Sequence, residues 1–183
     1  MKNNLPLIHL LPFERETANL DFSIEASIDI RQGQIDLKFV LSDPAKKVEV
    51  DLADKAQGLK RTDGLWKHTC FEAFLSLTNK EEYYEINLSP AGKWNAYYFT
   101  SYRNPHLPMA TEDIQLRSLN WSSSALEATL DLKTKKANPE LWECALTSVI
   151  ETISGQKHYL ASAHMGPKPD FHIRSSFTLK RGS

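Results

Sequence analysis

The chain has 183 residues, 41% hydrophobic and 25% charged, enough apolar material to bury a sizeable core beneath a soluble surface. Its 22 basic and 23 acidic side chains leave a formal net charge of −1, so no pull toward nucleic acid or an anionic membrane is expected. Two cysteines, Cys70 and Cys144, are too few for a disulfide framework and read as free core thiols.

At the N-terminus, Asn3, Asn4, Pro6 and Pro12 surround only a short apolar stretch at 7–11, which is not a secretory leader. No run approaches the roughly 18 apolar residues of a membrane span, and the cytoplasm is the expected address. From 20 to 30, Leu20, Phe22, Ile24, Ala26, Ile28 and Ile30 alternate with polar residues, the mark of a strand with one wet face. Arg31-Gln32-Gly33-Gln34 is a turn, and Ile35, Leu37, Phe39 and Leu41 resume the alternation, so the two segments form a hairpin.

Asp43-Pro44 ends that strand, and 47–52 is predicted as a shorter one, with a helical turn at 53–57 and an irregular segment up to Leu65. Three strands follow at 66–77, 83–88 and 94–102, separated by turns of hairpin length. Pro105 and Pro108 predict a loop over 103–109, and 114–119 with 126–132 form a hairpin around Ser122-Ser123-Ser124. One helical turn at 140–142 and strands at 143–152, 157–163 and 171–179 complete the chain. This pattern predicts one all-β domain over 1–183, a two-sheet antiparallel β-sandwich with Greek-key or jelly-roll connections.

The central strands carry polar groups where a second face begins. Phe71, Ala73, Leu75 and Leu77 form a core row, leaving Trp66, His68, Cys70, Glu72, Phe74 and Ser76 opposite. Tyr84, Ile86 and Leu88 point inward, with Tyr83, Glu85 and Asn87 opposite, and Trp94, Ala96, Tyr98, Thr100 and Tyr102 form one row of the next strand. If these strands are neighbours, rings sit beside acid and amide groups. That mixture suits a polyhydroxylated ligand, whose apolar ring face stacks while its hydroxyls bond to the polar groups. It also suits an ordinary solvent-facing sheet, and both readings stay open.

The histidines give no metal pattern, because His158, His164 and His172 are spaced by six and eight residues across a Gly166-Pro167-Lys168-Pro169 loop. For haem, His164 and Met165 are adjacent and point apart on a strand, so they cannot serve one iron. No cofactor is therefore expected, haem and a metal ion staying as the alternatives. No nucleophile elbow, phosphate-cradling glycine loop or His-Glu-x-x-His motif occurs, and no catalytic residue is assigned. The enzymatic alternative uses Glu72, Asp170 and His172 as acid and base groups on a sugar-related metabolite, or Glu72 with Glu85 as paired carboxylates.

Three ordered blocks resemble a bacterial group of DOMON-like domains. They are Arg61-Thr62-Asp63-Gly64-Leu65-Trp66-Lys67-His68-Thr69-Cys70-Phe71-Glu72-Ala73-Phe74, then Tyr84-Glu85-Ile86-Asn87-Leu88-Ser89-Pro90-Ala91-Gly92-Lys93-Trp94-Asn95-Ala96-Tyr97, then Lys168-Pro169-Asp170-Phe171-His172 with Ser176-Phe177. The resemblance implies a β-sandwich related to haem- or sugar-binding DOMON domains and to family 9 carbohydrate-binding modules, hence a non-catalytic module for a carbohydrate or similar polar small molecule. It implies Trp66 as a stacking platform, Glu72 and Asn87 as hydroxyl partners, and Arg103 as a donor, with His164, Asp170 and His172 arriving from the last strands; His68 completes the expected set. One block departs from the family, since Lys157-His158-Tyr159-Leu160 stands where a Ser-Tyr-Trp stretch is usual and no ring falls at Leu160.

Overall fold

The strand signals of the sequence pair into two sheets in the computed structural model, which describes residues 6–13, 20–52, 58–133 and 141–182. In chain order the strands are β1 (Ile8–His9), β2 (Leu11–Pro12), β3 (Ser23–Arg31), β4 (Gln34–Ser42), β5 (Lys60–Arg61), β6 (Cys70–Leu77) and β7 (Tyr83–Leu88). They continue with β8 (Lys93–Ser101), β9 (Asn104–Ala110), β10 (Ile114–Ser122), β11 (Ala125–Leu132), β12 (Leu141–Glu151), β13 (Lys157–Ala161) and β14 (Leu179–Gly182). One sheet has five strands in the order β1-β3-β4-β11-β10; the other has nine, built on β2-β13-β12-β6-β7-β8-β5. β14 pairs with the first residues of β12, and β9 with the last part of β8. All pairings are antiparallel except the short β5–β8 contact.

Alternation explains how the sheets meet. Ile24, Ile28, Ile35, Leu37, Phe39, Leu126 and Leu130 of the five-stranded sheet interleave with Phe71, Leu75, Ile86, Leu88, Leu146 and Leu160 of the other, forming one core. The Phe39 ring lies 5.2 Å from Phe71, which in turn stacks on Trp121 at 5.8 Å, so aromatic contacts tie the sheets together. Cys70 and Cys144 are buried free thiols, and burial pushes the Cys144 thiol up to about 12. The β3–β4 hairpin closes on Gln32 (φ 48°) and Gly33 (φ 77°); a Cβ on Gly33 would sit 3.0 Å from the Leu132 carbonyl.

Five elements differ from the sequence reading. The predicted strand at 47–52 is only a bridge between Val48 and Thr152, because the Asp43 carboxylate accepts from the Lys47 and Val48 N–H groups, both at 2.9 Å. Trp66 does not start β6; it sits in a 3₁₀ turn, Leu65–Lys67, entered through Gly64 at φ 75°. The predicted loop at 103–109 is β9, an edge strand that tolerates Pro105 and Pro108 because it pairs with β8 alone. The predicted strand at 171–179 becomes a 3₁₀ turn, Arg174–Ser176, followed by β14, so this tail crosses the sheet before joining it. The helical turn predicted at 53–57 lies outside the described residues, and Leu141 and Trp142 belong to β12 rather than to a helix.

The nine-stranded sheet is covered on its second face as well. Phe74, Tyr83, Tyr97, Phe99, Ala145 and Phe177 form a separate apolar cluster there, with Phe171 packed against it. The tail thus lies over the polar-aromatic face of β6, β7, β8 and β12, and the hollow left between them is the candidate site.

Candidate functional site

Register across the sheet sets the floor of the hollow. Thr147, Glu72, Asn87 and Asn95 lie opposite one another along one row of β12, β6, β7 and β8; Ala145, Phe74, Glu85 and Tyr97 form the next. Glu72 and Glu85 are therefore diagonal neighbours on adjacent strands. The cavity above them measures about 350 Å³ and is closed by Trp66, Tyr159, Arg103, Asp170, Phe171 and His172.

Of the residues expected from the sequence, Trp66, Glu72, Arg103, Asp170 and His172 line this one cavity. Trp66 is 39% exposed and sets its ring edge-to-face on Tyr97 at 5.9 Å. Asn87 lies beneath the cavity wall, fully buried, with its amide donating to Glu85 Oε1 at 2.7 Å. His68 and His164 do not join them. The His68 side chain is 77% exposed and meets Glu151 Oε2 at 2.8 Å, because the 3₁₀ turn before β6 breaks the alternation that would have aimed it at Glu72. His164 Nε2 bonds the Leu11 carbonyl at 2.8 Å beside the Phe13 ring, anchoring the short β2 end of the sheet.

Residues that the sequence reading left out of the site include Tyr97, Phe99, Tyr159 and Phe171. β8 is aromatic on both faces, and the sequence names only the row containing Trp94 and Ala96; that row packs in the core, and Tyr97 and Phe99 of the opposite row line the cavity. Leu160, the position where the resembling family carries a ring, points into the core, and its neighbour Tyr159 supplies an aromatic wall. Glu85 was legible on the same row as Asn87, and period two alone would have found it.

A hydrogen-bond relay holds the polar groups. Tyr83 stacks on Phe99 at 4.8 Å and bonds His172 Nδ1 at 2.8 Å, while its oxygen accepts from the Arg103 N–H at 3.2 Å. With the phenol donating, His172 carries its proton on Nε2, which faces Glu85 Oε2 at 3.7 Å. Arg103 Nη2 donates to Asp170 Oδ1 at 2.9 Å, and the Tyr102 hydroxyl to Oδ2 at 2.5 Å. Asp63 accepts from the Tyr97 hydroxyl and from Asn95, whose carbonyl accepts from Arg61, so Asn95 links Arg61 and Asp63.

Burial dominates the electrostatics. It pushes Glu72, only 2% exposed, well above the usual carboxylate range, and the neighbouring Glu85 charge pushes the same way. Burial raises Glu85 to about 7 against the opposing effects of Asn87 and Arg103. Burial and the Arg103 charge lower His172 to about 4, leaving its ring neutral. At Asp170 burial opposes charge, but the hydrogen bonds from Tyr102, Arg103 and the His172 N–H outweigh it and hold the carboxyl below its ordinary value. Glu72 Oε2 accepts from Thr147 at 3.3 Å, whereas Glu72 Oε1 and Asn87 Oδ1 are buried acceptors with no donor among the described residues.

A larger hollow, about 520 Å³, lies on the outer face of the five-stranded sheet. Its described lining contains no aromatic residue; Arg31 pairs with Asp29 and Lys38 with Glu127, and Asp36 accepts from Gln34 and Thr129, so it reads as a solvated sheet surface. Among the described residues no group of three or more His, Cys, Asp or Glu side chains could hold a metal ion.

No protein-family model matches the sequence, and no curated protein matches it. The fold is shared with a candidate carbohydrate-binding protein from Bacteroides uniformis, at TM-score 0.71 and 15% identity over 98% of this chain and 87% of that one. It is also shared with a family 9 carbohydrate-binding module from Caldicellulosiruptor kristjanssonii in complex with cellotriose, at TM-score 0.57 and 7% identity over 98% and 82%. A family 9 module from the same organism in complex with glucose matches at TM-score 0.56 and 7% identity over 90% and 78%.

Proposed function

We propose that this protein is a non-catalytic binding module for a carbohydrate or a closely similar polyhydroxylated small molecule. The observation that carries the reading is the cavity on the nine-stranded sheet, where Trp66, Tyr97, Phe99 and Tyr159 share a wall with Glu72, Glu85, Arg103 and Asp170. Rings stack on the apolar face of a sugar, and the carboxylates and guanidinium take its hydroxyls. Two further observations support it. All three blocks that resemble bacterial DOMON-like domains contribute residues to this cavity, and the modules with glucose and cellotriose share its sandwich fold.

Calorimetry against a panel of mono- and oligosaccharides tests the reading. At least one sugar is expected to bind, with Trp66→Ala weakening it by about tenfold or more, as loss of a stacking ring and its buried area does. Silence across the panel, or affinity indifferent to Trp66→Ala, overturns the proposal. Turnover of any sugar in the same samples would replace binding with catalysis by the Glu72 and Glu85 carboxylates.

A further inference from the structure

Charge in the cavity does not balance. Its described lining holds three carboxyl groups, Glu72, Glu85 and Asp170, against one permanent cation, Arg103, and the neutral His172 ring. Arg103 and Asp170 satisfy each other through a direct ion pair. That leaves Glu72 and Glu85 together at the floor without a cation of their own among the described residues, and Glu72, only 2% exposed, keeps Oε1 unpartnered there, with the Thr147 hydroxyl and the Cys70 thiol as the donors beside its carboxyl. A sugar hydroxyl can donate one hydrogen bond there but brings no charge. A buried acid without a countercharge is costly to ionise, and a ligand that supplies the charge is selected by that cost.

From this arrangement we infer that the cavity selects an amino sugar over a neutral one, seating a protonated amine between the Glu72 and Glu85 carboxylates while the sugar ring stacks on the aromatic wall. The inference deepens the carbohydrate reading and rests on it. An ammonium has three donors, enough for Glu72 Oε1 and the open side of Glu85, and it carries the missing positive charge. The rings of Trp66, Tyr97 and Phe99 line the same cavity, and a ring face turned to the cation favours it through its quadrupole. An N-acetylated amine has lost the charge and is expected to rank with the neutral sugars.

Proton bookkeeping follows from the same contact. The groups facing Glu85 are Cys70 and Glu72 from β6, Tyr83 from β7, Tyr97 from β8, Arg103 from the β8–β9 turn, and Asp170 and His172 from the tail. Burial, opposed by the Asn87 hydrogen bond and the Arg103 charge, holds Glu85 to about 7, so at pH 6 it is largely protonated and an arriving ammonium displaces that proton.

Calorimetry of the full chain at pH 6 with D-glucosamine, D-glucose, N-acetyl-D-glucosamine and putrescine tests the inference. Glucosamine is expected to bind about tenfold or more tighter than glucose or the N-acetylated sugar, the scale of charge-assisted hydrogen bonding. Its heat is expected to vary with buffer ionisation enthalpy in the sense of proton release. The double variant Glu72→Gln/Glu85→Gln is expected to bring glucosamine down to the affinity of glucose; should it fail to fold, the wild-type panel decides. Equal affinity for glucose and glucosamine overturns this inference and leaves the carbohydrate reading standing. Binding of putrescine alone, or of nothing in this panel, overturns this inference, and the wider mono- and oligosaccharide panel then decides the carbohydrate reading.

Discussion

Glu85 and His172 face each other at 3.7 Å and titrate in opposite senses over nearly the same range. Glu85 rises from 4.5 to about 7 in the fold, so the folded state holds the extra proton in that window and stability falls as pH rises through it. His172 drops from 6.5 to about 4, so the unfolded state holds the extra proton and stability rises with pH across that window. Glu72, also raised, adds to the falling side. Two falling contributions therefore outweigh the one rising contribution in the wild type, and single variants are expected to shift that balance. Relative to the wild type, Glu85→Gln should shift thermal melts toward greater stability at pH 7 against pH 5, and His172→Gln should shift them the other way. Parallel profiles for the two variants would contradict the assignment. The alternation of β7 made the position of Glu85 readable, but its titration was not, because burial depends on the tail that crosses above it.

The tail at 166–178 is the element on which the cavity depends, since it carries Asp170, Phe171 and His172. It is held from outside the cavity by Arg174, which donates to the Lys80 carbonyl at 2.9 Å, to the Leu77 carbonyl at 3.3 Å and to Glu143 at 2.5 Å. The guanidinium also lies 4.9 Å from the Phe177 ring. Arg174→Ala is expected to cost about 1–3 kcal/mol in urea unfolding, the range for hydrogen bonds to a charged group. It should also weaken the sugar binding measured by calorimetry, although Arg174 does not line the cavity. Arg174→Lys should restore the charge but not the fork, and recover little of either loss. Unchanged binding in a destabilised Arg174→Ala protein would show that the tail's position is indifferent to the ligand. The apolar spacing of 171–179 suggests a strand; Pro167, Pro169 and the turn closed by the Ser176 hydroxyl on the Ile173 carbonyl at 2.6 Å send the chain across the face instead.

At the scale of the molecule, the two sheets hold each other through Phe39, Phe71 and Trp121. Phe39→Ala, at a fully buried position, is expected to lower unfolding free energy by about 3–5 kcal/mol in urea titrations. A loss below about 1 kcal/mol would mean that the neighbouring side chains refill the space. The residue sequence alone determined which side chains share a face, because strand alternation is a local property: Phe71, Ala73 and Leu75 turn to the core, while Glu72 and Phe74 turn away. It likewise determined the β3–β4 and β10–β11 hairpins, whose short turns join neighbours in the chain. Only the tertiary structure decided that β12 returns beside β6, that Trp66 leaves the strand, and that the tail lays Asp170 and His172 over Glu85. Those contacts join residues far apart in sequence, and their chemistry depends on how deeply each group is withdrawn from water, which no local pattern encodes.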